Sequence, residues 1–341
     1  MYKQNLLSIC CLCYNHEQYI EECINSIWAN KYKNIEIIVI DDGSTDNSVE
    51  ILKKLQKKSL CNFKLITQKN THNIGLNCNR AAAEASGEFI TFMATDDYYT
   101  PDAFSEKLQM MQNNSNIVFA ISRSVGKLEN KKNKTNLSYV QDTRFDSNTP
   151  IDKICKLEYY EGTVAIQGNI IRHDLFDKIH GYDEDIYGDD IIIRTKIFQH
   201  IQKNQNLSIY TTDTVSFIYR IHPNSYTSEK TSILKIFLDT YDRYWSTKPY
   251  PPIVEKIIYN YILSHSYIDV LSILSTYPRV FDLLQHKYIA VKCLHSCLNK
   301  SLQKKNLLFY IIHKEPINIT KSKIILFNTI SISIKEKYAQ D

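Results

Sequence analysis

The strongest chemical signal in this sequence is a pair of adjacent carboxylates, Asp96 and Asp97, at the end of an apolar stretch that begins at Gly87. The stretch has the composition of a buried strand, and strands of open α/β sheets present their ligands at their carboxyl ends. Mg²⁺ and Mn²⁺ take oxygen ligands, typically one or two carboxylates together with substrate phosphates. The pair therefore indicates a site for a divalent cation, although an acidic turn that caps the following helix has the same pattern.

A second acidic cluster, at residues 41–46, follows another apolar stretch and includes Asp41 and Asp42. Its last carboxylate, Asp46, is explained on its own as a helix cap. Because the carboxyl ends of parallel strands meet at one edge of a sheet, we expect this cluster to lie beside the pair at 96–97. The two clusters together predict one site rather than two unrelated turns.

The elements that would position these clusters follow from the apolar spacing. Strands are predicted at residues 6–13, 36–40, 63–67 and from 87 onward, and helices at 17–28, 49–55 and 77–86. This alternation is typical of a doubly wound, mostly parallel sheet. Further along, we predict a strand at 117–122, an exposed loop at 129–134, a helix at 151–160 and an extended segment at 163–172.

Composition limits the class of protein. With 341 residues and 43% hydrophobic content, the chain can form one large domain plus an appendage. A net charge of +4 does not indicate nucleic-acid binding. The nine cysteines show neither a zinc motif nor a disulfide framework, which predicts free thiols in a reducing compartment. We find no apolar run with the length of a signal peptide or a membrane span, which favours a cytoplasmic protein.

The amino-acid composition changes near residue 230, where we place a domain boundary. Residues 231–341 have helical periodicity, with helices predicted at 253–274 and 288–298. From Lys287 to the end there are ten lysines against three acidic residues, a net charge of +7. This charge is explained by a solvated face, or by peripheral contact with an anionic membrane at the inner face of the cytoplasmic membrane.

Four motifs resemble those of the family 2 glycosyltransferases: Cys13-Tyr14-Asn15, residues 39–46, Asn73-Ile74-Gly75 with Arg80, and residues 86–97. These are inverting enzymes of GT-A fold that use nucleotide-sugar donors. The resemblance covers residues 6–100 strongly and continues more weakly to about 227. It implies a GT-A doubly wound, mixed and mostly parallel sheet with flanking helices, plus a C-terminal helical region. Residues 1–100 would form the nucleotide-sugar-binding half and 101–230 the acceptor half.

The resemblance also implies roles for individual residues. Tyr14 would pack on the nucleoside base, Asp42 would accept from its ring N–H, and Arg80 would help to hold the donor, although Arg80 is also explained as a surface residue of a helix. Asp96 would face the ribose and metal, and Asp97 would bind the cation directly. One departure leaves this division open, because Ala94 stands where the family commonly has the first acid.

The catalytic base is expected within residues 181–190, which resemble the family's aromatic-Asp-Glu turn and later acidic pair. Asp190 matches the second member of that pair and Asp189 is the alternative, while a preference of acids for a helix N-terminus explains both without catalysis. Gln167-Gly168-Asn169 is expected to line the acceptor side, since Gly permits a close approach of substrate to backbone.

A segment at residues 219–225 resembles one that often closes these domains. Its imidazole, His222, suits an additional metal ligand, and Arg220 suits a diphosphate. A structural histidine beside a proline turn is the alternative.

The resemblance therefore implies a glycosyltransferase of the hexosyltransferase type that uses Mn²⁺ or Mg²⁺ and most readily a UDP-sugar. The acceptor would be a hydroxyl of a surface glycan such as lipooligosaccharide or capsule, or of a lipid-linked oligosaccharide. Nucleotidyl transfer would require a Gly-rich basic loop at the start, and residues 6–17 contain no Gly, Lys or Arg. A non-catalytic nucleotide-sugar-binding scaffold is the other alternative, favoured only by Ala94.

Overall fold

A computed structural model describes residues 2–131, 134–141, 144–161, 166–186, 190–222, 230–265 and 267–285. The strands are β1 (Lys3–Cys13), β2 (Ile35–Asp41), β3 (Asn62–Thr67), β4 (Gly87–Ala94), β5 (Tyr98–Tyr99), β6 (Ile117–Ser122), β7 (Ser124–Lys131), β8 (Lys134–Gln141), β9 (Ile170–Arg172), β10 (Ser208–Thr212) and β11 (Phe217–Ile221). The helices are α1 (Ile20–Ala29), α2 (Ser48–Lys58), α3 (Ile74–Ala83), α4 (Ser105–Asn113), α5 (Ile151–Glu161), α6 (His173–Lys178), α7 (Asp190–Lys203), α8 (Lys230–Tyr244), α9 (Pro252–Ser264), α10 (Tyr267–Thr276) and α11 (Pro278–Gln285).

The main sheet has seven strands in the order β10-β6-β9-β4-β1-β2-β3. Its strands are parallel except for β9, which pairs antiparallel with both β4 and β6. Strand β2 is buried along its whole length, as expected for a strand with helices on both faces of its sheet. The predicted mixed, mostly parallel α/β architecture with flanking helices is confirmed.

Helices cover both faces of this sheet and divide the core into two layers. Ile24 of α1 and Leu52 of α2 lie in the cluster on one face, and Cys78 of α3 and Ile197 of α7 lie in the cluster on the other. All four side chains are buried. The sheet is therefore held rigidly from both sides, which fixes the positions of its strand ends.

A second sheet, in the order β5-β11-β7-β8, was not anticipated. The predicted exposed loop at 129–134 is wrong in part, because residues 124–131 and 134–141 form the antiparallel pair β7 and β8. Polar residues fit this strand pair because it lies at the edge of a small sheet rather than in a core. The sheet matters for function since β11 continues to His222.

The extended segment predicted at 163–172 is also shorter than expected. Only Ile170–Arg172 forms a strand, and residues 162–165 lie outside the described residues. Ile166 to Asn169 form a turn closed by a hydrogen bond from Asn169 N–H to Ile166 O of 3.2 Å. Gly168 has φ +71°, a value that glycine adopts without strain.

Helices α8 to α11 form a helical region after residue 230 and share one apolar cluster with α5 and α7. The single helix predicted at 253–274 is wrong, since α9 ends at Ser264 and His265 is extended, with φ −107° and ψ 166°. The Ser264 hydroxyl donates to Asn260 O at 2.8 Å, and a serine that bonds to the backbone in this way competes with helix continuation.

Three further observations bear on the sequence predictions. The seven cysteines within the described residues are free thiols, as expected. Among the described helices, none is both long and apolar enough to cross a membrane. The predicted helix at 288–298, the basic tail from Lys287, and Asp189 lie outside the described residues.

Candidate active site

Three strands of the main sheet end side by side and bring the predicted residues to one edge. Cys13 of β1 pairs with Asp41 of β2, and Leu12 of β1 pairs with Ala94 of β4. Asp42 N–H donates to Cys13 O at 2.9 Å, so the two chains stay together one residue beyond the strands. The two acidic clusters therefore meet at the carboxyl edge, as the sequence predicted.

Asp42 is 8% exposed and is held by its neighbours through one of its two oxygens. Its Oδ1 accepts from Gln68 Nε2 at 2.7 Å, from Thr71 N at 2.9 Å and from Thr71 Oγ1 at 3.0 Å. Within the described residues, its Oδ2 has one longer contact, of 3.2 Å with Thr71 Oγ1. The carboxylate is thus fixed in orientation and retains acceptor capacity on Oδ2.

Gly43 makes this arrangement possible. Its φ is +78°, and a Cβ at this position would lie 2.6 Å from the backbone nitrogen of Asn70. The loop after β2 can therefore pack directly against the loop after β3 only with glycine here. Thr71, which follows in that second loop, is brought to Asp42 as a result.

Arg80 reaches Asp42 through one intermediate. Its Nη1 donates to Gln68 Oε1 at 2.6 Å, and the amide of Gln68 in turn donates to Asp42. This bond orients the Gln68 amide, because the side with the oxygen faces the guanidinium. The structure therefore places Arg80 in the Asp42 network.

Tyr14 follows β1 at the same edge and is 44% exposed. The residue after it, Asn15, is fixed by accepting from Thr45 N at 2.8 Å and by donating its own N–H to Ser44 Oγ at 2.9 Å. An exposed aromatic ring on a fixed backbone beside Asp42 provides a stacking surface for a planar base.

Asp97 is a buried carboxylate, 1% exposed, with one oxygen bound and one without a partner. Its Oδ1 accepts from the backbone N–H of Arg220 at 2.7 Å, whereas its Oδ2 has no hydrogen-bond partner within the described residues. Burial and then the negative charge of Asp96 raise the pKa of Asp97 well above its usual value, while contacts with Arg220 and Gln167 act in the opposite direction. Such a site favours a neutralising cation.

Asp96 lies between two imidazoles. Its Oδ2 is 3.1 Å from Nε2 of His222 and 3.6 Å from Nε2 of His16, and its Oδ1 is buried without a partner in the described parts of the chain. His16 is oriented by Thr95, whose Oγ1 lies 2.8 Å from Nδ1. Burial lowers the pKa of His16 and outweighs the attraction of Asp96, which favours the neutral ring, the form that binds metals.

Aromatic rings hold the end of β11 against this site. The guanidinium of Arg220 lies 5.3 Å from the ring centroid of Tyr19 and 4.8 Å from that of Tyr98, and it pairs with Glu22. The imidazole of His222 stacks on the same Tyr19 at 5.0 Å. These side chains thus hold the guanidinium of Arg220, while the backbone N–H of Arg220 donates to Asp97.

The residues present fit a divalent cation that is shared with a substrate. No group of three or more His, Cys, Asp or Glu side chains in the described ranges is arranged as a complete metal cluster. However, the partnerless oxygens of Asp96 and Asp97 and the imidazole of His222 are donors that suit Mn²⁺ or Mg²⁺. Such ions commonly complete their coordination with substrate phosphates and water, so an incomplete protein shell is the expected form.

Asp190 begins α7, where the helix dipole favours a carboxylate. Its Oδ1 accepts from Ile166 N at 2.8 Å, and its Oδ2 is 3.9 Å from Nη1 of Arg194, which also pairs with the buried Glu158. Its side chain is 38% exposed and so is open to a substrate. The alternative base, Asp189, lies outside the described residues.

Gln167 lies between Asp190 and the end of the strand that leads to the acidic pair. It follows Ile166, which donates to Asp190, and its Oε1 accepts from Ala94 N at 3.0 Å. The turn expected on the acceptor side therefore lies between Asp190 and the end of β4. Ala94, the residue that departs from the family pattern, contributes its backbone to this contact.

Sequence reasoning missed three residues of the site: Gln68, Thr71 and His16. Gln68 follows β3 directly, and His16 comes three residues after β1, so their positions at the carboxyl ends of strands were an available signal. Thr71 had no such signal, because only the approach of its loop at Gly43 brings it to Asp42.

A well-formed cavity of the described structure lies elsewhere. It has a volume of about 560 Å³ and is formed by α5, α7 and the connection from α8 to α9, with Tyr159, Thr195 and Lys248 in its walls. It contains none of the residues predicted to bind donor or metal. We assign the site to the converging carboxylates and imidazoles, because open α/β sheets bind their ligands at the carboxyl ends of the strands, where the surface need not form an enclosed cavity.

Solved structures share this fold. S. aureus TarS in complex with UDP-GlcNAc aligns with a TM-score of 0.50 and 18% identity, covering 87% of this chain and 80% of TarS. The mannosyltransferase PcManGT from Pyrobaculum calidifontis, solved with GDP-Man and Mn²⁺, aligns with a TM-score of 0.50 and 13% identity over 88% of each chain. At these identities the likeness concerns the fold, which is that of the GT-A glycosyltransferases.

Sequence relatives are glycosyltransferases. An uncharacterized glycosyltransferase of Haemophilus influenzae is 28% identical over 65% of this chain and 68% of its own length. The Escherichia coli enzyme WfaP, named a UDP-Glc:α-D-GlcNAc-diphosphoundecaprenol β-1,3-glucosyltransferase, is 33% identical over 31% of this chain and 41% of its own length. An uncharacterized glycosyltransferase of Nostoc sp. is 35% identical, with 30% of its length matched. This chain thus spans less than half the length of the last two relatives.

The family assignment rests on the segment that contains the acidic clusters. The model of glycosyl transferase family 2 matches residues 8–180, just over half of the chain. The match includes Tyr14, Asp42, Arg80 and the Asp96–Asp97 pair. The chain belongs to glycosyl transferase family 2.

Proposed function

We propose that this glycosyltransferase moves a sugar from a UDP-sugar to a hydroxyl of a growing surface glycan, with inversion and with Mn²⁺ or Mg²⁺. The observation that carries the proposal is the meeting of Asp42 and the Asp96–Asp97 pair at one sheet edge, with two buried carboxylate oxygens left without a partner within the described residues. A nucleoside site and a cation site beside each other match the nucleoside and the diphosphate of a nucleotide-sugar.

Donor binding begins with the nucleoside. Oδ2 of Asp42 accepts the ring N–H of the base, while Gln68 and Thr71 keep the other oxygen occupied and the carboxylate in place. The exposed ring of Tyr14 packs on the base. Uracil offers the ring N–H donor that this acceptor requires, as thymine and guanine do, whereas adenine and cytosine lack it; a UDP-sugar is therefore compatible with the site.

The acidic pair acts on the leaving group. Asp97 and Asp96, with His222, would hold a cation that stabilises the negative charge growing on the diphosphate as the sugar–phosphate bond breaks. Asp97 is the more buried carboxylate and is fixed by Arg220 N–H, so we retain it as the direct ligand. Asp96, held beside His16 and His222, completes the site toward the ribose.

The attack on the sugar requires a base on the opposite side. Asp190 accepts the proton of the acceptor hydroxyl while that oxygen bonds to the anomeric carbon, which inverts its configuration. The hydrogen bond from Ile166 and the neighbouring Arg194 hold the carboxylate in place for this step. Gln167 and Gly168 line the space between the base and the acidic pair.

The basic tail from Lys287 bears on the choice of acceptor. A lipid-linked oligosaccharide would suit peripheral contact of the basic tail with the inner face of the cytoplasmic membrane. A non-catalytic scaffold is the alternative function, since Ala94 replaces one acid of the family pattern. The retained carboxylates Asp97 and Asp190 favour an enzyme.

A donor panel tests the proposal. Purified protein would be incubated with UDP-, GDP- and dTDP-sugars, with Mn²⁺ or with chelator, and the released nucleoside diphosphate measured. We expect release from a UDP-sugar that requires the cation. Release that persists in chelator would refute the metal-dependent mechanism, and donor binding by calorimetry without any transfer to glycan acceptors would establish the scaffold.

A further inference from the structure

Lys107 is a buried amine that the mechanism above does not use. It lies on α4, is 1% exposed, and donates from Nζ to Ser122 Oγ at 3.0 Å, to Gly168 O and to Ser216 Oγ. An ammonium has three N–H donors, so all of them are satisfied. All three acceptors are uncharged oxygens, and burial lowers the pKa of Lys107 to about 7.

The cost of burying this cation indicates a specific role. Taking an ammonium out of water costs several kcal/mol, of the order of the whole stability of a domain. Its neighbour Glu106 accepts from Tyr210, Thr212 and Thr214. An apolar side chain would fill the same space at lower cost, unless the three acceptors need to be held together.

The first acceptor of Lys107, the Gly168 carbonyl, lies in a turn that contacts the end of β4. Gly168 O is bound by Lys107, and the preceding Gln167 accepts from Ala94 N at 3.0 Å, three residues before Asp97. Gly168 itself is tightly enclosed, since a Cβ there would lie 2.9 Å from Cβ of Ser216. A shift of the Gly168 carbonyl would therefore move the support of the acidic pair.

The second acceptor, the Ser216 hydroxyl, lies just before the strand whose end contacts Asp96 and Asp97. Ser216 immediately precedes β11, the strand that places Arg220 N at 2.7 Å from Asp97 Oδ1 and His222 at 3.1 Å from Asp96. The third acceptor, Ser122, lies at the end of β6, and its hydroxyl also contacts the hydroxyl of Ser216. One ammonium thus connects both supports of Asp96 and Asp97.

We propose that Lys107 is a positioning residue that fixes the geometry of the Asp96–Asp97 cation site by tying the Gly168 turn to the start of β11. This inference rests on the proposed metal-dependent function of that site. Lys107 touches neither substrate nor cation. Its loss would leave the nucleoside site at Asp42 intact, because Gln68 and Thr71 hold that residue independently.

The test compares Lys107→Met with a matched buried cation, Arg172→Met. Arg172 is 8% exposed and donates to Ile117 O at 2.9 Å and to Met111 O, at the opposite ends of β6 and α4. Lys107 lies on α4 and contacts β6, and Arg172 lies on β9, contacts both α4 and β6, and also pairs with Glu88, so both substitutions are expected to lower the midpoint of thermal unfolding. Only Lys107 reaches the turn and strand that hold the acidic pair.

The readout is the dissociation constant of UDP, measured by calorimetry with Mn²⁺ and with chelator. A displacement of about 1 Å in a supporting group can cost about 10²-fold in activity. We expect Lys107→Met to lose at least about tenfold of the Mn²⁺-dependent gain in UDP affinity, with UDP affinity in chelator unchanged. Arg172→Met should retain the gain.

Each outcome decides the proposal. A Lys107→Met protein that melts earlier but keeps the full Mn²⁺-dependent gain would overturn the positioning role. If Lys107→Met does not fold, Ser216→Ala removes one of its acceptors, and an unchanged gain in that variant would overturn it equally. Wild-type protein that shows no gain from Mn²⁺ would instead refute the proposed metal function on which the inference rests.

Discussion

Replacing Asp42 with Asn tests the nucleoside site, because the substitution keeps the shape of the side chain and changes its acceptor capacity. In the structure, Oδ1 receives three donors within 3.0 Å, from Gln68 and Thr71. An asparagine must direct its single oxygen toward these donors. Its NH₂ group then occupies the position of Oδ2 and faces the ring N–H of the base, so that two donors oppose each other.

The magnitude follows from the lost hydrogen bond. A hydrogen bond to a charged group contributes about 1.5–3 kcal/mol, which corresponds to roughly 10- to 150-fold in affinity. We expect the dissociation constant of UDP to rise by this factor in Asp42→Asn. Calorimetry in the presence of chelator measures it most cleanly, since the diphosphate–cation contribution is then absent.

The control is Asp46→Asn, at the same sheet edge. Asp46 accepts from Ser48 N at 2.9 Å and from Glu17 N at 3.1 Å, and so serves as a local cap. Its substitution should lower thermal stability and leave UDP affinity within about twofold, since the cap makes no contact with Asp42 in the structure. UDP affinity within about twofold of wild type in Asp42→Asn would contradict the assignment of the nucleoside site.

Two further predictions concern the base and the acid limit of stability. Asp190→Asn should lower turnover by about 10²–10⁴-fold, as for loss of a general base, with donor affinity unchanged in calorimetry; turnover above a tenth of wild type would exclude Asp190 as the base. Burial raises the pKa of Glu36, but hydrogen bonds from Ser8 and Ser86 outweigh it and the net pKa is lowered. Glu36 therefore stabilises the fold above its unfolded-state pKa, and this stability is lost as the pH falls through the lowered folded-state pKa. Glu36→Gln should cost about 2 kcal/mol in urea unfolding at pH 7 and less toward pH 3; a difference that does not change with pH would disprove this role.

Much of the fold was predictable because its core strands are parallel and buried. Residues 6–13 form a continuous apolar run, and the structure extends this strand only at its N-terminal end, to Lys3. Such runs alternate with amphipathic helices through the first hundred residues, and this alternation fixes a doubly wound sheet. The proposed boundary near 230 is untested and stays a prediction.

The second sheet could not be predicted for a physical reason. Strands β7 and β8 are rich in Lys and Asn and pair mainly with each other, so no apolar alternation reveals them. The turn at Ile166 to Asn169 was likewise hidden, because its course is set by Lys107 and Ser216, which are distant in sequence. Tertiary contacts determine both elements.

The candidate site also combines residues that local sequence predicts with residues that tertiary contacts bring in. Asp42 and Asp97 follow strands and were found by their position, whereas their partners Thr71 and Arg220 come from loops and a late strand. Arg220 is separated from Asp97 by more than a hundred residues. Local spacing identified the carboxylates, but the contacts that orient them depend on the assembled fold.

Binding of Mn²⁺ to the UDP-bound protein tests the central claim most directly. Free Mn²⁺ can be titrated by its electron paramagnetic resonance signal, with wild type, Asp97→Asn and the control Asp46→Asn. We expect wild type and Asp46→Asn to bind one Mn²⁺ per UDP complex, and Asp97→Asn to bind it at least about tenfold more weakly. Equal binding by Asp97→Asn and wild type would contradict the assignment of the cation site to the acidic pair.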